Sequence, residues 1–130
     1  MPVLRLGAPS DLDARALVWG LQAGGWSDRL SLTLGTYRQL GEWLDARAID
    51  VALLSSSEYA LRAEPFDVVP GLAIVSDGHG SLCRLAHGGS LADVTHLRGL
   101  AVGHAGEVLA PLLFAASGRR VLFEPFHQDP

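Results

Sequence analysis

The segment that decides the fold is IDVALLSSSEYA, residues 49–60, taken together with GLAIVSDGHGS, residues 71–81. In the first, an apolar run (Ile49, Val51, Ala52, Leu53, Leu54) meets three serines and an acid (Ser55, Ser56, Ser57, Glu58). The absence of alternation marks a strand covered on both faces. Ser55 followed three positions later by Glu58 is the capping-box signature, here opening a short helix to about residue 63. Pro65 and Pro70 bracket a brief extended piece, residues 72–75 (LAIV) are apolar enough for another buried strand, and Asp77 to Gly80 make a glycine turn. The order is strand, serine turn, helix, strand, glycine turn. Turns at the carboxyl end of a strand, leading into a helix N-terminus, are where α/β proteins hold anionic ligands, because free N–H groups and the helix dipole point there.

Toward the N-terminus the same grammar repeats. Residues 3–8 (VLRLGA) read as a first strand ended by Gly7 and Pro9. Ser10 with Asp13 fits an N-cap and capping box for a helix over residues 12–23, closed by Gly24 and Gly25. Leu30, Leu32 and Leu34 alternate with Ser31 and Thr33, as in a strand with one polar face. Thr36 with Gln39 is a further capping box, and Tyr37, Leu40, Trp43 and Leu44 form an apolar helical stripe to about residue 47. This βαβαβ run with short loops predicts an α/β fold with a mainly parallel sheet flanked by helices.

Beyond the glycine turn the pattern is shorter: a strand over residues 81–86, a short helix over 91–97 capped by Ser90, a strand at 100–102, a helix over 104–117 ended by Gly118, and a last strand at 121–123. The expected division is residues 1–76 as a first lobe and 77–130 as part of a second lobe or an extension, hinged at Ser76 to Gly80.

The sequence has 130 residues, 48% hydrophobic and 18% charged, with a net charge of −4. That balance supports a packed core and lacks the basic stripe of a nucleic-acid binder. Cys83 is the single cysteine in this sequence, so no internal disulfide is expected, and no secretory leader is expected ahead of the first strand. No apolar run reaches the ~20 residues of a membrane span. A soluble cytoplasmic protein with no membrane partner is the expectation. All ten basic residues are Arg, and neither Lys nor Asn occurs, which excludes Schiff-base chemistry. The five histidines lack zinc spacing, so no metal site is expected.

The runs DVALLSSSEYA (50–60) and VVPGLAIVSDGHGS (68–81) resemble the chorismate dehydratases of the futalosine route to menaquinone. In these two-lobed proteins of the periplasmic-binding-protein type II class, a similar "DVALISS-EYA" segment and an "SDG" followed by "GS" line the cleft between lobes. The sibling enzyme that makes dihydroxynaphthoate shares the architecture. Ser10, Leu12, Arg15 and Leu17 fall where that family has Ser-x-Leu-Asn-x-x-Pro-Leu. The resemblance covers most of this chain and about half of a family member. It implies a carbon–oxygen lyase that eliminates water from chorismate to give 3-enolpyruvylbenzoate without a metal or organic cofactor. Ser10, Arg15, Ser55, Ser56, Ser57, Gly80 and Ser81 would bind the substrate, and either Asp13 or a substrate carboxylate would act as base. Two departures stand out: the family's Asn is Asp13 here, and the SDG-to-GS turn is one residue shorter and contains His79.

Each of these residues also has a plain structural reading. Ser55 and Glu58 can simply cap a helix, Asp13 can complete the Ser10 box, Arg15 can be a solvated helix residue, and Cys83 can be packing. Two non-catalytic expectations therefore stand beside the enzyme: a half-length relative that binds a small carboxylate or nothing, and an interaction module whose open sheet edge pairs with a second copy, as a homodimer, or with a partner half.

Overall fold

The computed structural model describes residues 2–64, 66–75, 77–78, 85–100 and 105–126. It is an α/β structure with parallel sheets and helices, divided into two compact units, Met1–Ala63 with Val102–Ala105 and Glu64–Ala101 with Gly106–Pro130.

The first unit contains β1 (Leu4–Pro9), α1 (Leu12–Ala23), β2 (Leu30–Gly35), α2 (Tyr37–Asp45), β3 (Val51–Ala52) and α3 (Ser56–Ala60). Its sheet has the order β2-β1-β3, every pair parallel. β1 lies in the middle and pairs along its whole length with β2, from Leu4 opposite Leu30 to Pro9 opposite Gly35. The β3 ladder is short, Leu6 to Val51 and Gly7 to Ala52, but Asp50 N–H to Arg5 O (2.8 Å) and Leu53 N–H to Gly7 O (3.0 Å) extend its bonding at both ends.

The chain moves from β1 to one neighbour through α1 and then past β1 to the other side through α2. Because crossovers of this kind are right-handed, opposite directions of travel put the two helices on opposite faces of the sheet. The core follows: Leu40 of α2 is fully buried, Ile49 nearly so, and Ala8, Ala14 and Val18 fill the α1 side. Gly7 permits the close approach of α2, since a Cβ there would stand 2.6 Å from Ile49 Cδ1 and 2.7 Å from Leu40 Cδ2.

An ion pair fastens the N-terminal end of the sheet. Arg5 Nη2 and Nε donate to the two carboxylate oxygens of Asp50 at 2.6 and 3.1 Å, and the Arg5 amide adds a third bond at 2.9 Å. These side-chain and backbone bonds from Arg5 lower the Asp50 carboxyl to about 2, from an ordinary 3.8.

In the second unit a 3₁₀ turn (Leu91–Asp93) capped by Ser90 leads into β4 (His96–Leu100), and α4 (Ala105–Ala116) precedes β5 (Leu122–Phe126), parallel to β4. Arg119 donates to the carbonyls of Leu91 (2.8 Å) and Val94 (2.6 Å) and lies 5.0 Å from the Phe114 ring centroid, so the turn and the end of α4 share one anchor. Leu97 and Phe114 are buried here.

Several expectations change. The cap of α1 is Asp11, not Ser10: the Ser10 amide still donates to Gly35 O at 3.1 Å, so Ser10 belongs to the end of the ladder and the first free position is Asp11. Residues 51–54 are half-buried rather than covered on both faces. Residues 72–75 form no strand and are exposed, Val75 by 87%, because no strand among the described residues pairs with them. The helix expected over 91–97 is the 3₁₀ turn followed by β4, since the Thr95 and His96 backbone is drawn into pairing with β5. Ser76, His79, Gly80, Ser81, Cys83 and His104 lie outside the described residues.

Candidate functional site

In a parallel sheet of order β2-β1-β3 the chain leaves β1 toward β2 and then returns past β1 to β3, and the carboxyl ends of such strands are where α/β sheets bind ligands. Two segments follow the carboxyl ends of this strand pair: residues 10–13 after β1 and residues 53–57 after β3. They contain five of the residues expected from sequence, Ser10, Asp13, Ser55, Ser56 and Ser57. Arg15 lies one turn into α1 and is exposed. Gly80 and Ser81 fall outside the described residues.

Asp11 organises the β1 side. Its Oδ1 accepts from the Ala14 amide at 3.1 Å, capping α1, and its Oδ2 accepts from the Tyr37 hydroxyl at 2.7 Å. Tyr37 is the first residue of α2, so this one carboxylate ties together the N-termini of two helices that leave adjacent strands. Burial pushes the Tyr37 phenol well above the ordinary tyrosine value of 10.0, and the bond to Asp11 and the charges of Asp11 and Asp13 push it further. Asp13 itself is half-buried in the first turn of α1.

On the β3 side, Ser55 Oγ accepts from the Glu58 amide at 3.2 Å and lies 2.9 Å from Ser57 Oγ. Ser57 is buried and Ser56 is exposed. With only five residues, α3 contributes little dipole, so the hydroxyls and not a helix terminus are the groups this turn offers. Glu58 is buried but paired: Arg62 Nη2 stands 3.6 Å from its carboxylate, while Arg62 Nη1 donates to Asp45 at 2.9 Å. That bridge fastens α3 to α2 and marks Glu58 as a structural acid.

The second unit carries a separate hollow of about 530 Å³, walled by one stretch of chain that includes His87, Ser90, Asp93, Thr95, His96 and Arg98. Its polar groups are solvated, and His96 and Arg98 face Glu124 at a loose 3.9 Å across the ladder. The strand-end crevice is the better candidate, because its groups are fixed by short bonds to the sheet and helix termini. Among the described residues no three His, Cys, Asp or Glu side chains come together as a metal site.

Asp11 and Tyr37 are the site residues that sequence reading misses. Ser10 and Asp11 are both capping residues ahead of one helix, and only the end of the β1 ladder decides which is the cap. Tyr37 falls on the apolar stripe of α2 with Leu40 and Trp43, and its hydroxyl reveals its partner only across 26 positions.

No curated protein and no solved structure matches the chain significantly. The match that exists is to a family described as menaquinone biosynthesis, over residues 4–93, a span containing β1 through the 3₁₀ turn and both segments of the crevice. With more than half of its 130 residues matched, including the strand ends that build the site, the chain belongs to the menaquinone biosynthesis family.

Proposed function

We propose that the protein is chorismate-dehydratase-like, eliminating water from chorismate to give 3-enolpyruvylbenzoate, as a hydro-lyase of the cytoplasm with no metal or organic cofactor. What supports this reading is that residues 10–13 and the serine turn 55–57 follow the paired strands β1 and β3 in a menaquinone-biosynthesis family member. Ser10 and Ser56 supply hydrogen bonds to substrate carboxylates, a role that the family resemblance also assigns to Gly80 and Ser81. Asp13 takes the ring proton. The ring hydroxyl departs with its bonding electrons and leaves as water once protonated, and the product ring becomes aromatic. Arg15 serves as a second, outer contact for a carboxylate.

The test is direct: purified protein is incubated with chorismate, product formation is followed by chromatography, and Asp13→Ala is run beside the wild type. Turnover by the wild type and its loss in Asp13→Ala support the reading. Absence of turnover with no thermal shift at high chorismate overturns it.

A second reading is a non-catalytic relative that binds a small carboxylate or pairs with a second copy or partner half. It is favoured by Asp13 standing where the resembled family has Asn, and by exposed apolar side chains such as Leu72, Leu113 and Leu122. Under it, chorismate or a simpler carboxylate raises the melting temperature without being consumed, and sedimentation shows association; a clean monomer contradicts the pairing.

A further inference from the structure

The outer side of β2 is an open sheet edge. Leu4 N–H donates to Arg29 O at 2.8 Å and Ser10 N–H to Gly35 O at 3.1 Å, so the odd-numbered residues of this strand turn their backbone groups toward β1. Successive residues of a strand turn theirs to opposite sides. The N–H and C=O groups of Leu32 and Leu34 therefore point away from β1, and no strand among the described residues pairs with that side. Leu30 marks the same side, its N–H donating to Trp26 O at 2.8 Å rather than into the ladder. Proteins ordinarily guard such an edge with a charge, a proline or a bulge. Residues 30–35, LSLTLG, have neither charge nor proline, and their register with β1 runs unbroken from Leu30 to Gly35.

The two faces of the strand differ as well. Ser31, Thr33 and Gly35 share the α2 face, where a Cβ on Gly35 would stand 2.8 Å from the Trp43 ring, and Leu30, Leu32 and Leu34 share the other. Leu34 is 49% exposed. A strand that closes this edge must bring leucine-like side chains to one face, small polar ones to the other, and no charge. β2 of a second copy, run antiparallel about a two-fold axis at Thr33, meets all three demands. Leu32 then lies opposite Leu34 of the second copy and Leu34 opposite its Leu32, each pair exchanging both N–H···O bonds, while the two Thr33 side chains face one another.

We propose that β2 is a dimerisation edge, joining two three-stranded sheets into one of order β3-β1-β2-β2-β1-β3. This rests on the second reading above, in which the chain pairs with a second copy, and it names the surface and the register. The contact is self-complementary and closes on itself, so it yields a dimer and not a filament.

The experiment measures the mass of the full chain by sedimentation equilibrium over a range of concentrations and cross-links it at the axis. The wild type is expected to form a dimer of 13.8 kDa chains. Leu34→Pro removes an outward N–H and leaves the β1 ladder whole, and Thr33→Lys sets like charges face to face. Each is expected to weaken association at least roughly tenfold with an unchanged circular dichroism spectrum. On a Cys83→Ser background, Thr33→Cys is expected to give a disulfide-linked dimer on oxidation. Ser31→Cys is expected to give none, because its two copies stand four residues apart along the strands, roughly 13 Å and beyond disulfide reach. This cross-link decides the matter should Leu34→Pro or Thr33→Lys fail to fold. A dimer that persists in folded Thr33→Lys, or equal cross-linking at positions 31 and 33, overturns the role of β2 and leaves pairing through another surface standing. A wild type that is monomeric at every concentration overturns both.

Discussion

At the residue scale, Asp11 does two jobs with one carboxylate, capping α1 and holding the Tyr37 hydroxyl. Asp11→Ala removes both and is expected to cost about 2 kcal/mol, the upper range for a lost cap, read from urea denaturation. Asp11→Ser should recover part of that loss. The Tyr37 phenol is raised above its ordinary value by burial and by Asp11, so folding favours its neutral form. That contribution is complete below the unfolded value of 10.0 and is lost as pH rises through the folded value. Of the two tyrosines in the chain, absorbance titration should find one that ionises only well above pH 10. Asp50 behaves oppositely. Its carboxyl is lowered to about 2 by bonds from Arg5, so its contribution is present above the unfolded value of 3.8 and is lost as pH falls toward 2. The acid limb of the stability curve should therefore flatten in Asp50→Asn.

At the scale of elements, the tight seam is between β1 and α2. Gly7→Ala places a methyl group under 3 Å from Ile49 and Leu40, both buried, and is expected to destabilise the fold by about 1–3 kcal/mol, the range for overpacking. Calorimetry checks this. Arg47, just past the end of α2, has φ of 54°, a left-handed conformation that suits glycine; Arg47→Gly should leave stability unchanged or raise it by up to about 1 kcal/mol. What was legible in the sequence follows the range of the forces involved. The Thr36–Gln39 cap, the Leu12–Ala23 helix and the alternation of Leu30, Leu32 and Leu34 are local, and they read directly. Ser10 misled because its amide is claimed by Gly35 on a neighbouring strand. Residues 91–97 misled because β4 exists only through pairing with β5, about 26 positions away. In the site, the serine turn was visible as a cap, but the Asp11–Tyr37 bond depends on a strand order that no local pattern states.

At the scale of the whole molecule, two parallel sheets in two compact units carry the fold, and no helix among the described residues is long and apolar enough to cross a membrane. Apolar side chains remain on the surface in both units, including Trp19 in the first and Leu113 in the second. The segment 72–75 illustrates the consequence. Its apolar residues look like core in the sequence yet are exposed, so Val75→Ser is expected to change stability by less than about 0.5 kcal/mol, as surface substitutions do. A loss of several times that would mean the segment is buried. The proposed function has this menaquinone-biosynthesis family member acting on chorismate through residues that follow β1 and β3. The most direct measurement is chromatographic detection of 3-enolpyruvylbenzoate after incubation with chorismate: formation by the wild type and its loss in Asp13→Ala are the predicted result, and unconsumed chorismate with no shift in melting temperature would contradict it.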